Sequence, residues 1–163
     1  MVPGLEIIRL TSEAEARECA GLMSSTEPWL TLGRSREQAY AILTSPDREV
    51  HLASIKGETA GFVIIVMQGA LVGYIQSIAV APERRGRGVG TALMEFAQER
   101  IFSESPNVFI CVSSFNPRAR RLYQRLGFET VGELKEYIIP GHSEFLLRKT
   151  LGPFQGFRPG PQP

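Results

Sequence analysis

The chain has 163 residues, of which 43% are hydrophobic and 21% charged, and its net charge is +1. This is the balance of an ordinary globular protein, long enough for one domain with a full core. A nearly neutral molecule carries no overall signature for nucleic acid or another polyanion, so any anion site must be local.

Residues 5–10 alternate apolar with polar side chains and read as a first strand. Thr11 or Ser12 can cap a helix that runs to about Ser24, with Glu13 and Glu15 in its first turn. A loop over 25–34 contains Pro28, Trp29 and Gly33, and a second short helix follows Ser35 and ends near Pro46. Strands are expected over 49–56, 60–68 and 71–81, punctuated by Gly57-Glu58 and Gly69-Ala70, as a meander of antiparallel hairpins. Pro82 stops the third of them. A glycine-rich turn follows, then an amphipathic helix carrying Val89, Leu93, Phe96, Ala97 and Ile101 on one face. Residues 108–113 form the next strand, and Asn116-Pro117 opens a further helix that Gly127 ends. Residues 128–139 and 144–151 read as a terminal hairpin around Pro140-Gly141. The resulting order, β-α-α-β-β-β-α-β-α-β-β, predicts an α+β (mixed α/β) domain over residues 1–151. Residues 152–163, dominated by Gly and Pro, are expected to be a mobile tail.

Other features narrow the setting. Met1-Val2-Pro3-Gly4 has no basic stretch leading into an apolar one, so no signal peptide is expected. The longest apolar run, 62–67, is far too short to cross a bilayer, and no membrane partner is expected. Cys19 and Cys111 lack motif spacing and read as reduced thiols of a cytoplasmic protein. Nothing in the sequence decides between a monomer and a homodimer.

Chemistry concentrates at Arg85-Gly86-Arg87-Gly88-Val89-Gly90-Thr91, between a strand and a helix. Glycines let backbone N–H groups approach a ligand closely, and a helix start adds unpaired donors and a positive dipole end. Arg84, Arg85 and Arg87 add local positive charge, so the turn suits a phosphate or pyrophosphate. It is neither a P-loop, because Gly90-Thr91 lacks the lysine, nor a dinucleotide fingerprint, because Thr91 stands where the third glycine belongs.

The run Ile78-Ala79-Val80-Ala81-Pro82-Glu83-Arg84-Arg85-Gly86-Arg87-Gly88-Val89-Gly90 resembles the acyl-CoA loop of the GNAT family of N-acetyltransferases. The family pattern Arg/Gln-x-x-Gly-x-Gly/Ala is matched by Arg85, Gly88 and Gly90. A second block, Asn116-Pro117-Arg118-Ala119-Arg120-Arg121-Leu122-Tyr123-Gln124-Arg125-Leu126-Gly127-Phe128, resembles the family's Asn-x-x-Ala-x-x-Leu-Tyr-x-x-x-Gly-Phe segment. Element order extends the likeness over roughly residues 5–151.

The resemblance implies a GNAT-like fold: a mixed, mostly antiparallel central sheet, flanked by helices, whose two central parallel strands (here 71–81 and 108–113) splay apart. It implies acetyl-CoA as cosubstrate, no metal, and an amine acceptor that is a small molecule or a peptide. The pantetheine arm would bond near Ile78, Ala79 and Val80, and the pyrophosphate would sit on the amides of Arg85, Gly86, Arg87, Gly88, Val89, Gly90 and Thr91. Asn116 matches the position that often bonds the pantetheine. Tyr123 matches the tyrosine facing the thioester sulfur, where a phenol with a reference pKa of ~10 arrives still protonated.

A base is harder to find. Tyr74, Gln76 and Ser77 on one central strand, and Cys111, Ser113 and Ser114 on the other, include no strong base. Glu136 and Tyr137 on the terminal hairpin are candidates for the acceptor side, while His51 and His142 read as surface histidines. Trp29, Leu30 and Leu32 either line the acceptor pocket or plug the core edge. The leading function is therefore direct acetyl transfer to an amine. A catalytically silent acyl-CoA-binding or partner-binding module on the same fold stays open, as does a longer acyl donor.

Overall fold

A computed structural model describes residues 1–160 of the chain. The element order is β1 (Leu5–Arg9), α1 (Glu13–Ser24), α2 (Arg36–Leu43), β2 (Glu49–Ile55), β3 (Glu58–Val66), β4 (Tyr74–Val80), α3 (Val89–Phe102), β5 (Asn107–Ser113), α4 (Pro117–Arg125), β6 (Glu129–Leu134) and β7 (Glu144–Thr150), with a single 3-10 turn at Pro82–Arg84. Ser12, not Thr11, caps α1: its hydroxyl accepts from the Glu15 amide at 3.1 Å while the Glu15 carboxylate accepts from the Ser12 amide at 3.1 Å. Ser35 and Gln38 repeat that reciprocal pair at the start of α2.

The seven strands form one sheet in the order β1-β2-β3-β4-β5-β7-β6. All pairs are antiparallel except β4 with β5, which is parallel and short: only Tyr74↔Phe109 and Ile75↔Ile110 are in register. Beyond that point β5 continues to Ser113 against β7, and β4 continues to Val80 against β3. Gln76 is an extra residue in β4, since Ile65 faces Ile75 while Ile64 faces Ser77. Such a bulge bends its strand, and here it sits where β4 turns away from β5. The splayed pair expected from the sequence is thus present, in an α+β fold.

Two apolar layers cover the sheet. On one face Val89, Leu93, Met94, Ala97 and Ile101 of α3 pack on Val63, Ile65, Ile75, Val108, Ile110 and Leu147. On the other, Cys19, Ala20 and Met23 of α1 with Ala39 and Leu43 of α2 cover Val50, Leu52, Phe62 and Ile64. Arg100 of α3 clamps Glu49 of β2 with two bonds, at 2.8 and 2.6 Å.

Strand boundaries differ from the sequence reading, β3 among them, which runs Glu58–Val66. β4 begins at Tyr74, because the 71–73 segment closes the preceding loop through the Gly73 amide on the Val66 carbonyl (3.1 Å). β6 ends at Leu134, because Glu136 adopts φ +49° and its carboxylate accepts the Gly141 amide, folding 135–143 into a turn. Residues 152–160 hold neither helix nor strand, while Leu151 still bonds the Pro106 carbonyl at 2.8 Å. The last residues of the expected tail, 161–163, lie outside the described residues.

His51 is a further correction. It is buried in β2, its ring 4.7 Å from that of Phe96 and its Nδ1 without a hydrogen-bond partner. Alternation in a covered strand decides its burial, whatever its polarity suggests.

Candidate active site

The wedge opened by the splay continues into a cleft of about 640 Å³. One wall is Ile78, Ala79 and Val80 of β4; the opposite wall is Asn116, Ala119, Leu122 and Tyr123 of α4; Thr26 to Trp29 close one end. Arg85, Gly86, Gly88, Gly90 and Thr91 form its rim. Ten of the twelve sequence-predicted site residues therefore meet in one place, being Tyr123 with Ile78, Ala79, Val80, Arg85, Gly86, Gly88, Gly90, Thr91 and Asn116. Arg87 and Val89 do not line it: Arg87 is exposed outside the wall, and the Val89 side chain is sealed in the core under α3.

Gly88 explains the loop's need for glycine. It stands at the N-cap of α3 with φ +87°, a left-handed conformation that L side chains rarely adopt. No side chain caps the helix there, so the first-turn amides of α3 stay unpartnered by any cap and face the rim.

The arginines behave differently from expectation. Arg84 pairs with Glu58 at 2.6 Å, and Arg85 folds back to donate to the Val80 carbonyl at 3.1 Å. Fresh positive charge comes instead from α4, where Arg118, Arg121 and Arg125 all line the cleft. Their i, i+3, i+7 spacing puts them on one stripe, and none has an ion-pair partner among the described residues. The spacing was visible in the sequence. What could not be seen was which face of α4 meets the cleft.

Tyr123 is 6% exposed, packed in the core cluster with Leu122 and Leu126 beside it. Burial pushes its phenol well above the ordinary value, so it holds its proton throughout the neutral range. Asn116 caps α4, its side-chain oxygen accepting the Ala119 amide at 3.2 Å, which leaves its NH₂ group free to donate.

On the other side of the splay a polar cluster lies between β4, β5 and β7. Val108, Ile110 and Val112 face the α3 core, so Phe109, Cys111 and Ser113 face the opposite side, with Tyr74 beside Phe109. Tyr74 lies beside Cys111, and burial raises both groups. Ser113 donates to Oε1 of Glu144 at 2.5 Å, and Glu144 is 4% exposed. Desolvation holds the Glu144 carboxyl above the usual carboxylate range, the Ser113 bond opposing it. Glu144 escaped the sequence reading because its partner is 31 positions away and belongs to a strand it does not follow in the chain.

The earlier base candidates fare less well. Glu136 is exposed and occupied by the Gly141 amide, and His142 packs edge-on against Phe115 at 5.0 Å. Trp29 is 8% exposed within the α1–α2 core, the core-edge position, and it also borders the cleft, whereas Leu30 is 54% exposed. Among the described residues no cluster of His, Cys, Asp or Glu could hold a metal ion, and no helix is long and apolar enough to cross a membrane.

Known proteins share this architecture. A mycothiol acetyltransferase of Nocardia farcinica is 35% identical over 99 residues, covering 60% of this chain, though the chain spans only 32% of that relative's length. The N-alpha-acetyltransferase RimI of Mycobacterium tuberculosis is 27% identical over 149 residues, covering 86% of this chain and 90% of the relative. The crystal structure of the ribosomal-protein-S18-alanine N-acetyltransferase of Escherichia coli has the same fold, with a TM-score of 0.75 at 16% identity over 94% of this chain and 99% of that one. The family description "Acetyltransferase (GNAT) family" matches residues 13–128, spanning the wedge, the glycine loop and α4, and the chain belongs to that family.

Proposed function

We propose that this protein transfers an acetyl group from acetyl-CoA directly to an amine, and that the amine is an α-amino group. The observation that carries the reading is the convergence of an unpaired strand edge (Ile78–Val80), a glycine-lined helix start and a buried protonated phenol on one cleft. The strand edge suits the amides of a pantetheine arm, which needs backbone partners. The rim of Gly86 to Thr91 suits the pyrophosphate, and Arg118, Arg121 and Arg125 add charge for the cosubstrate's phosphates. Tyr123 borders the same cleft and its buried phenol stays protonated at neutral pH, which supports a hydrogen bond from it to the departing thiolate.

The α-amine follows from proton affinity. A lysine amine has a reference pKa of ~10.4 and an α-amine ~7.7–8.0. At about pH 7.5, freeing a lysine amine of its proton costs roughly 4 kcal/mol, while an α-amine costs well under 1 kcal/mol at 1.36 kcal/mol per unit. Strands β4 and β5 carry no carboxylate or imidazole, so any base must come from outside them, and the acceptor with the lower amine pKa asks least of it. The M. tuberculosis relative is named an N-alpha-acetyltransferase, which supports the same class.

The test is thiol release from acetyl-CoA with matched peptides offering either an α-amine or only a lysine amine. Expected is a higher kcat/KM for the α-amine at neutral pH. Preference for the lysine amine overturns the acceptor assignment. Tight acetyl-CoA binding without thiol release from any amine would favour the silent module.

A further inference from the structure

We propose that Glu144 is the group that takes the proton from the acceptor amine; this rests on the acetyl-transfer reading above. Three observations carry it. Glu144 heads β7, directly opposite Ser113, which lies three residues beyond the last β4–β5 pair at Ile110; it is thus level with the opened part of the wedge, across β5 from it and outside the cleft lining. Its side chain lies on the face of Ser113 and Cys111, away from the α3 core. It is almost fully buried yet has no cationic partner: Ser113 holds Oε1 at 2.5 Å, and Oε2 accepts no hydrogen bond among the described residues. Oε2 is not among the sealed polar atoms, so it is open to accept from an incoming substrate N–H.

The titratable groups around it are few. Tyr74 on β4 and Cys111 on β5 share its field, and Tyr137 of the β6–β7 turn stands near Tyr74. On β6, Glu133 is engaged by the Ser143 hydroxyl at 2.7 Å; in the turn Glu136 is engaged by Gly141, and His142 packs against Phe115. No lysine or arginine counterion depresses Glu144, and desolvation keeps it more basic than an ordinary carboxylate.

The step balances without any added reagent. The amine nitrogen's lone pair attacks the thioester carbonyl carbon and a C–N bond forms. The nitrogen's surplus proton passes to Oε2 of Glu144. The C–S bond breaks, its electron pair leaves on sulfur, and the thiolate takes the Tyr123 proton. Glu144 then gives its proton to solvent, and Tyr123 recovers one from solvent.

The experiment is the pH profile of kcat at saturating α-amine peptide and acetyl-CoA, which reports groups in the bound complex. It is run on the wild type, Glu144→Gln and Ser113→Ala, with acetyl-CoA affinity by calorimetry and thermal melting alongside. Glu144→Gln should lower kcat by roughly 10²-fold or more, remove the acidic inflection, and leave acetyl-CoA affinity unchanged. Ser113→Ala removes the bond that lowers Glu144, so its acidic inflection should move to higher pH. A merely structural Glu144 would change melting but not the inflection. A folded Glu144→Gln with the wild-type profile overturns the proposal. If Glu144→Gln fails to fold, an unmoved inflection in Ser113→Ala overturns it. A wild type that binds acetyl-CoA but acetylates nothing instead overturns the acetyl-transfer reading beneath it.

Discussion

The two halves of the proposed site are built by different means. The proposed cofactor half, the cleft, is local: the glycine loop and the α3 start lie within residues 85–91, and α4 supplies Asn116 through Arg125 in a single turn-and-helix. The proposed acceptor half lies outside the cleft lining and is assembled across the sheet, with Ser113 of β5 joined to Glu144 of β7 and Tyr74 of β4 beside Cys111 of β5. A local site depends on backbone conformation and should fail abruptly when one residue is wrong. A distributed site depends on side-chain chemistry and should fail by degrees, with pH as its signature.

The largest expected effect falls on the local half. Gly88→Glu should abolish acetyl-CoA binding, but its φ of +87° adds backbone strain to the charge effect. Gly90→Glu separates the two. Gly90 lies in the first turn of α3 outside the left-handed set, and a Cβ there would meet Val80 Cγ2 at an ordinary 3.5 Å. A carboxylate at the rim repels phosphate, so calorimetry should find acetyl-CoA affinity reduced by about 10²-fold or more, some 2.7 kcal/mol, with little change in melting. Unchanged affinity in the folded variant would remove the loop from the cosubstrate site.

This contrast also accounts for what the sequence made legible. Gly88 and Gly90, Asn116 and Tyr123 were readable because each sits at fixed spacing within one turn or helix. The face of α4 was half readable: Arg118, Arg121 and Arg125 show a stripe, but only tertiary packing tells that the stripe borders the cleft. Glu144 was not readable at all. Strand β7 inserts between β5 and β6, so the residue opposite Ser113 is fixed by a register no local pattern encodes. His51 failed for the same reason, since a polar residue in a strand covered on both faces gives no sign of its burial. The order of elements, by contrast, rested on caps and turn residues, and what moved were element ends, such as those at Leu134, Tyr74 and Glu58.

The next effect probes the seam between the halves. Tyr123→Phe removes only the hydroxyl and keeps the ring that packs 6.2 Å from Phe128. Turnover should fall by roughly 10²-fold, the low end for a lost general acid, with acetyl-CoA affinity nearly unchanged. Wild-type turnover with chemistry rate-limiting would make Tyr123 a packing residue and leave the seam without a proton donor. Smaller again is Arg121→Ala, which removes one unpaired, exposed charge from the rim. About 1 kcal/mol is expected for such a contact, roughly five-fold in Kd for acetyl-CoA, and it should shrink in high salt. A salt-independent loss would mean the side chain packs rather than attracts.

The smallest effect is on stability, and it protects the interpretation of the acceptor half. His51 belongs to β2, its ring against Phe96 of α3 and away from the cleft lining, and burial followed by the nearby Arg9 charge holds its imidazole below the ordinary value, against the pull of Glu49. Arg100 adds to the depression. The folded chain therefore binds a proton at His51 less readily than the unfolded chain. Above the unfolded value of ~6.5 neither state is protonated and stability is unaffected. As pH falls below it, the unfolded chain takes up the proton first, so stability declines until the folded pKa is passed and then levels. Acidification would thus weaken the fold while protonation of Glu144 would slow catalysis, and the two could be mistaken for one another. His51→Gln separates them: its urea midpoint should change less than the wild type's between about pH 7.5 and about pH 5.5, while its acidic inflection in kcat stays where the wild type's is. An inflection that moves with His51→Gln would assign the acid limb to the scaffold, and the distributed acceptor half would lose its pH signature.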